Sequence, residues 1–432
     1  MSVRNEMRTG ISDPCESAGS EGKCMMKTVR GGASWPLVFC MACVMLCEGF
    51  DIIVYSSLIP TLIADNGMGM DSAIAGLVGS MTFLGMFAGG LLAGTVQRRL
   101  GYVRAIAFGV MWFSVAIALS SLSAHAYMLG VFRALAGLGL GCVLPIAMSL
   151  ARDHSSKRMA PLVISLVMTG IPFGGLVAAF ACLSLLSLVG WRALMLLAGL
   201  IGVLPVLIVV PVASRVVAQL ERTRPGVSAR PARQTLRQLG MKSKALLGML
   251  CAMTFLFLMA YYGMSTWLAQ LMRAFNLPLE NSLQMMVVLN FGCVMGSLFT
   301  AWLATRMSVE VVAMGSGLLA SLCLIGIALR PSSSALLMAF VFFAGVGAIS
   351  TQNLTNALVS NAFPEALRPA ALGMSLGIGR LGAVASPAAG GLILQCGFDA
   401  GWVLVMLAVA ELVGVGLLLP YAPYRRVEAA EA

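Results

Sequence analysis

The stretch WPLVFCMACVMLCEGFDIIVYSSLIP, residues 35–60, is almost entirely apolar and contains only two charged residues, Glu48 and Asp51. At about 1.5 Å of rise per residue, a helix of this length exceeds the roughly 30 Å thickness of the hydrocarbon core of a bilayer. We therefore predict that it crosses a membrane, and that its two acids lie inside the membrane.

Eleven further apolar stretches follow, each of about 20 residues or more. The predicted spans are 35–60, 72–96, 103–123, 127–151, 160–188, 192–213, 245–270, 282–304, 310–329, 334–360, 369–395 and 400–420. The composition agrees with a membrane protein, because 59% of the 432 residues are hydrophobic and only 10% are charged, against about 25% charged in soluble domains. This balance excludes soluble enzymes, nucleic-acid-binding proteins and disordered scaffolds.

The polar segments divide these spans into two halves. We predict a disordered cytoplasmic tail at 1–34, a six-helix bundle at 35–213, a basic cytoplasmic linker at 214–244, a second six-helix bundle at 245–420 and a cytoplasmic tail at 421–432. Two related bundles around a site at the midplane are the architecture of many secondary carriers. The predicted fold class is therefore an all-α membrane protein with twelve transmembrane helices in two six-helix bundles.

The positions of the 28 Lys and Arg residues predict the orientation. Arg133 and Arg380 lie within spans. Loops on one side of the membrane hold only three of the others, which are Arg192, Arg273 and Arg330. The remainder lie on the side that carries both tails and the linker, and the side rich in Lys and Arg normally faces the cytoplasm. We expect both termini to be cytoplasmic.

Charged side chains within the hydrocarbon are unfavourable unless they are paired or hydrated, so they point to function. Glu48 and Asp51 are three residues apart, which places both carboxylates on one helix face, with Tyr55 one turn beyond Asp51. Two neighbouring carboxylates repel when both are ionised, so one of them can hold a proton at neutral pH. We predict that Asp51 and Glu48 couple transport to protons; the alternative is a structural ion pair with Arg133.

A further intramembrane charge, Arg380, lies in the sequence Gly377-Ile-Gly379-Arg380-Leu-Gly382. The match to the dinucleotide fingerprint GxGxxG is only formal, because this stretch lies inside an apolar helix rather than between a strand and a helix. A permanent cation among glycines is suited to a substrate carboxylate. The alternative is a glycine packing face whose arginine pairs with an acid of the protein. Glu411, in the last span, is a weaker signal, since a peripheral helix can turn it inward to form a hydrogen bond.

Other kinds of chemistry find no support in the sequence. Cys40, Cys43 and Cys47 have no second cysteine pair and the two histidines lie far from them, so we expect no metal site and no cofactor. The sequence has no GxxxxGK[ST] motif, so we do not expect ATP-driven transport. It also lacks the paired nucleophile and base of an enzyme.

These features together resemble the major facilitator superfamily over residues 35–420. The loop after span 2, GTVQRRLG at 94–101, is similar to the GxLADRxGRR signature of that superfamily, with Arg98 in place of the expected aspartate. The resemblance implies that the residues matching the signature gate alternating access, namely Gly94, Arg99, Gly101 and Arg104. Asp153, in the corresponding loop after span 4, is expected to substitute for the missing aspartate.

Within the superfamily the sequence resembles the aromatic acid:proton symporters, which carry 4-hydroxybenzoate, benzoate and related acids. EGFD at 48–51 is similar to their DGFD motif, and RALAGLGLG at 133–141 is similar to their RxxxGxGxG motif. Residues 356–391 also resemble the family. The resemblance implies that Asp51 is the coupling acid. We predict substrate binding by four residues, which are Arg380, Arg133, Tyr55 and Asn356.

The sequence thus predicts a proton-coupled secondary transporter of a bacterial inner membrane that imports a small organic anion, an aromatic carboxylate, by alternating access. Two alternatives stay open: a drug or metabolite exporter of the same fold, and a transport-inactive membrane sensor. The predicted partners are the organic acid, protons and the lipid bilayer. We expect no nucleic-acid partner and no enzymatic activity, and by analogy with the fold we expect a monomer.

Overall fold

The computed structural model describes residues 34–153, 155, 159–223, 240–363 and 367–421. The regular structure of these residues is helical, with one short 3-10 helix at Asn66–Met68. The α-helices are α1 Trp35–Ala64, α2 Ser72–Leu100, α3 Tyr102–Ser120, α4 Ala126–Asp153, α5 Ala160–Met168, α6 Gly170–Thr223, α7 Met241–Ala274, α8 Leu279–Leu303, α9 Val309–Ala328, α10 Ser334–Ala362, α11 Arg368–Gln395 and α12 Gly401–Gly416.

Ten of the described helices are long and apolar enough to cross a membrane. The backbone of α6 leaves the helical conformation at Gly190, with φ 75° and ψ 170°. Gly101, which links α2 to α3, has nearly the same angles, φ 77° and ψ 172°. This conformation is accessible essentially only to glycine. Each of these two glycines therefore forms a tight connection between neighbouring helical segments.

The part of α6 that follows Gly190 packs against α3. Gly199 faces Ala118 of α3, and three residues later Gly202 faces Phe113 of the same helix. The part of α6 before the break packs against α1 instead and continues the short helix α5. With α6 counted as two crossings and the shorter apolar helix α12 included, the described chain has the twelve crossings that the sequence predicts.

Helix α6 extends further than the predicted sixth span. The apolar stretch ends near residue 213, but the helix continues to Thr223. Its backbone hydrogen bonds are internal, so a helix can leave the membrane and continue beyond its apolar residues. The tails at 1–33 and 422–432 and the middle of the linker, 224–239, lie outside the described residues. The predicted domain limits therefore remain predictions.

Within the N-terminal half, the backbones of α2 and α4 are in direct contact. A Cβ atom on Gly85 of α2 would meet the carbonyl oxygen of Ala134 on α4. Reciprocally, a Cβ atom on Gly137 of α4 would meet the carbonyl oxygen of Thr82 on α2. The same holds one turn further along each helix, at Gly89 and Gly141. These small residues fix α4, which carries Arg133, at a short distance from α2.

The two halves are joined by the helix pairs α1–α7, α2–α11 and α6–α8. Near the loop that connects α1 to α2, Ser80 donates a hydrogen bond to the carbonyl of Val384 at 2.6 Å. Trp267 of α7 donates to the carbonyl of Pro387 at 3.1 Å, and Gly76 of α2 lies directly against that carbonyl. We call these five residues the α2–α11 closure. By contrast, α4 and α10 pack mainly against helices of their own halves.

We expect Gly137→Ala to lower the melting temperature of the protein in detergent, because even one methyl group would overlap the backbone of α2. Overpacking of this kind destabilises by about 1–3 kcal/mol, which corresponds to a fall of several degrees. Gly248→Ala on α7 is a matched control, since a Cβ atom there meets no atom within 4 Å, and it should not lower the melting temperature. Equal shifts in the two variants would contradict the packing of α2 against α4.

Candidate functional site

The two acids of α1 are buried, each with 1% of its surface exposed, and each is paired with a different arginine. Arg133 of α4 donates through Nη1 to Oδ1 of Asp51 at 2.6 Å, and both side chains are 2% exposed. The Arg133 guanidinium also lies 4.6 Å from the centroid of the Tyr55 ring, where a cation and an aromatic face attract each other. This first pair lies within the N-terminal half.

The second pair joins the two halves of the molecule. Arg380 of α11 donates through Nη2 to Oε1 of Glu48 at 3.2 Å, and its side chain is 13% exposed. Through Nη1 it also donates to the hydroxyl of Tyr262 on α7 at 3.3 Å and lies 3.2 Å from the sulfur of Met86 on α2. One side chain of α11 therefore contacts α1, α2 and α7.

Aromatic rings surround this second pair. The ring of Tyr262 lies 4.6 Å from that of Phe83 on α2, centroid to centroid, and 5.0 Å from that of Tyr261. Tyr262, Phe83 and Met86 are not among the residues that the sequence predicts for the site. The adjacent tyrosines in an apolar span were the available signal, because a buried tyrosine hydroxyl requires a hydrogen-bonding partner.

Both acids keep one oxygen atom without a hydrogen bond. Among the described residues, Oε2 of Glu48, Oδ2 of Asp51 and Nε of Arg133 are buried and have no partner. Buried polar atoms are usually satisfied by protein or water. This group of atoms can therefore accept or donate further hydrogen bonds when water, a proton or a polar ligand enters.

The structure gives definite surroundings to the predicted binding residues. The ion pairs of Asp51 with Arg133 and of Glu48 with Arg380 are the structural alternatives that the sequence left open. The hydroxyl of Tyr55 donates to the carbonyl of Ala75 at 2.7 Å. Asn356, on α10, accepts a hydrogen bond from Gln352 at 3.2 Å, and it is not among the contacts of Arg380 described above. Whether these residues bind substrate stays a prediction.

The predicted gating residues lie at the end of the molecule away from the α2–α11 closure. Gly101 ends α2 with a positive φ of 77°. The other three residues of the signature are exposed around it, namely Gly94, Arg99 and Arg104. Asp153 is the last residue of α4, and its side chain lies outside the described residues. The gating role of these residues is not tested by this arrangement.

We expect Arg133→Gln to lower the melting temperature strongly, because it would leave the buried carboxylate of Asp51 unpaired. Loss of one member of a buried pair typically destabilises by about 3–5 kcal/mol. The double variant Asp51→Asn with Arg133→Gln should recover part of this loss, since it removes both charges. Arg306→Gln, at an exposed position, is the control. A double variant that is destabilised by the sum of the two single effects would contradict the pairing.

Comparisons with known proteins agree with this architecture. The family model described as Major Facilitator Superfamily matches residues 41–387 and 285–432. The gentisate transporter of Corynebacterium glutamicum is 30% identical over 375 residues, covering 84% of this chain and 82% of that protein. The benzoate transport protein of Acinetobacter baylyi is 25% identical over 413 residues, covering 88% of each chain.

A 4-hydroxybenzoate transporter of Pseudomonas putida is 25% identical, covering 89% of this chain and 92% of that protein. Among solved structures, the crystal structure of a D-xylose–proton symporter is similar with a TM-score of 0.69 and 13% identity, covering 88% of this chain and 97% of the other. That likeness shows the fold. The relatives are named as transporters rather than enzymes, as the sequence predicts. The chain belongs to the Major Facilitator Superfamily, among its aromatic acid transporters.

Proposed function

We propose that this protein is a proton-coupled importer of aromatic carboxylates in a bacterial inner membrane and that it works by alternating access. The observation that carries the proposal is the contact between Glu48 and Arg380, which joins the two halves through a carboxylate and a guanidinium. Relatives named for gentisate, benzoate and 4-hydroxybenzoate support the choice of substrate class. All three of these compounds are carboxylates on an aromatic ring.

Charge balance explains why a proton should accompany the substrate. The two acids and the two arginines of the site have no net charge when all four are ionised. A substrate carboxylate adds one negative charge, which is unfavourable at this depth in a membrane. If Glu48 takes a proton, the site is neutral again and Arg380 is free to bind the substrate carboxylate. Release of that proton lets Glu48 pair with Arg380 again and displaces the substrate.

The geometry favours Glu48 over Asp51 as the acid that exchanges with substrate. Asp51 is paired at 2.6 Å with an arginine of its own half, so movement of the halves need not separate them. Glu48 is paired at 3.2 Å with an arginine of the other half, so movement of the halves does affect this pair. We assign proton exchange to Glu48, while Asp51 supports it by holding Arg133 in place and by adding a second carboxylate to the same helix face.

The surroundings of Arg380 also suit an aromatic ring. A substrate whose carboxylate is bound by this guanidinium would place its ring among Tyr262, Phe83 and Met86, which are close to it or to one another. Aromatic rings pack favourably against one another in tilted and offset arrangements and against methionine sulfur. The same set of side chains can therefore bind both ends of an aromatic acid.

The position of the α2–α11 closure identifies the end at which the two halves are joined. If the side rich in Lys and Arg faces the cytoplasm, the closure lies at the outer end, and the halves are joined there. We propose that Gly94, Arg99, Gly101, Arg104 and Asp153 take part in closing the cytoplasmic end. The proposed transporter is a monomer.

Glu48→Gln tests the coupling. Because glutamine imitates the protonated acid, we expect this variant to exchange internal for external gentisate but to lose accumulation of labelled gentisate driven by a pH gradient in proteoliposomes. A protonophore should abolish accumulation by the unchanged protein and make the two proteins alike. Glu280→Gln, an exposed acid at the start of α8, is the matched control. Unchanged uphill uptake by Glu48→Gln would refute the assignment.

The same assay separates the proposal from its alternatives. Saturable binding of gentisate without any flux in proteoliposomes would favour a transport-inactive sensor. Cells that gain resistance to hydrophobic cations, without gaining uptake of carboxylates, would favour an exporter. Liposomes without protein measure the gentisate that crosses the bilayer unaided.

Arg380→Lys tests the binding of the carboxylate. Lysine keeps the positive charge but cannot form two parallel hydrogen bonds to a carboxylate. A charge-assisted hydrogen bond contributes about 1.5–3 kcal/mol, so we expect the KM for gentisate to rise roughly tenfold or more, with a smaller effect on the maximal rate. Arg306→Lys is the control. A KM that is unchanged in Arg380→Lys would remove this residue from the binding site.

A further inference from the structure

Glu411 is a buried acid away from the two ion pairs. It lies in the middle of α12, and its exposed fraction is 0%. Gly317 of α9 faces it, so that a Cβ atom on this glycine would lie 3.5 Å from Oε2 of Glu411 and 3.4 Å from Cγ2 of Thr351 on α10. The carboxyl group is therefore enclosed between three helices of the C-terminal half.

Neither oxygen of the Glu411 carboxyl group has a hydrogen-bonding partner among the described residues. Helices α7, α9 and α11 pack against α12, and α10 reaches the same region through Thr351. Their titratable and charged residues with described side chains are Lys242, Lys244, Cys251, Tyr261, Tyr262 and Arg273 on α7, Glu310 and Cys323 on α9, and Arg380 on α11. None of these groups forms a hydrogen bond with the Glu411 carboxyl group. Among them, Arg380 and Tyr262 are bound to each other.

Neighbouring helices are in contact with α12 on both sides of this carboxyl group. One turn before it, Ser321 of α9 donates a hydrogen bond to the carbonyl of Ala408 on α12 at 3.0 Å. One turn after it, Gly414 lies against the ring of Phe257 on α7. Water can therefore reach Glu411 only if these helices separate locally.

We propose that Glu411 is a proton-binding site that is separate from the central ion pairs and keeps its proton while α9, α10 and α12 are packed together. An ionised carboxylate here would be a buried charge with no hydrogen-bond donor among the described residues, which is strongly unfavourable. The neutral acid avoids this burial of charge. Because access requires the helices to separate, this proton stays with the protein rather than crossing the membrane with each substrate.

The first test uses the pH dependence of stability. The folded protein would hold a proton on Glu411 that the unfolded chain releases at any pH above the ordinary carboxyl range of about 4–5. Rising pH should therefore destabilise the unchanged protein relative to Glu411→Gln, in which a neutral amide imitates the acid. We expect the melting temperature of Glu411→Gln minus that of the unchanged protein to rise steadily between about pH 5 and about pH 8.

The control for this test is Glu280→Gln, whose difference from the unchanged protein should not vary with pH, because this acid is exposed. Glu411→Ala should be less stable than Glu411→Gln at every pH, because it leaves a cavity. A constant difference between Glu411→Gln and the unchanged protein would overturn the proposal. So would a Glu411→Gln variant that is as unstable as Glu411→Ala, because glutamine has nearly the shape of the neutral acid.

The second test observes the proton directly. Infrared spectra of the protein at neutral pH should show the carbonyl stretch of a buried carboxylic acid, and this band should be missing in Glu411→Gln. A spectrum that is the same in both proteins would overturn the proposal. Proton-driven uptake of gentisate should persist in Glu411→Gln, and its loss in a stably folded variant would overturn the separation from the coupling site. Failure of the Glu48 assignment would leave these results unaffected.

Discussion

A helix that carries two carboxylates through a membrane must find a positive charge for each of them, and the arrangement of the bundle reflects this requirement. Asp51 is paired with an arginine of α4 and Glu48 with an arginine of α11. The first pair requires α4 to lie beside α1, a position that the glycine contacts between α2 and α4 help to fix. The second requires the two halves to meet at the level of Glu48. Helix α1 therefore lies at the centre of both sets of contacts.

The two ion pairs have different properties and so suit different roles in the site. A pair that lies inside one half and is sealed from solvent has the properties of a fixed structural element. A pair that spans the halves, with a longer distance and a partly exposed arginine, is sensitive to their relative movement. In the proposed cycle, the substrate carboxylate and Glu48 compete for a single guanidinium, and protonation decides which of them binds. The fold alone would not reveal this, since the xylose symporter shares the fold at only 13% identity.

Hydropathy predicted the spans well because each has to satisfy the same requirement of length and apolar surface. The motif around Arg380 was recognised as helical for the same reason. Which way each helix faces is a tertiary property, so the partner of Arg380 could not be read from the chain. Tyr262 and Met86 were missed because their side chains become polar contacts only when α2, α7 and α11 converge. The helical extension to Thr223 was missed because hydropathy detects the apolar part of a helix and not the polar part that continues beyond it.

The proline at position 387 affects the hydrogen bonding of the α2–α11 closure. Proline has no N–H group, so the carbonyl four residues earlier in α11 lacks its usual helical donor. Close to this gap, the carbonyls of Val384 and Pro387 accept hydrogen bonds from Ser80 and Trp267, which belong to other helices. Each such bond contributes only about 0.5–1.5 kcal/mol. The α2–α11 closure is thus held by two weak hydrogen bonds. The binding energy of one small molecule is enough to shift the equilibrium between its closed and open forms.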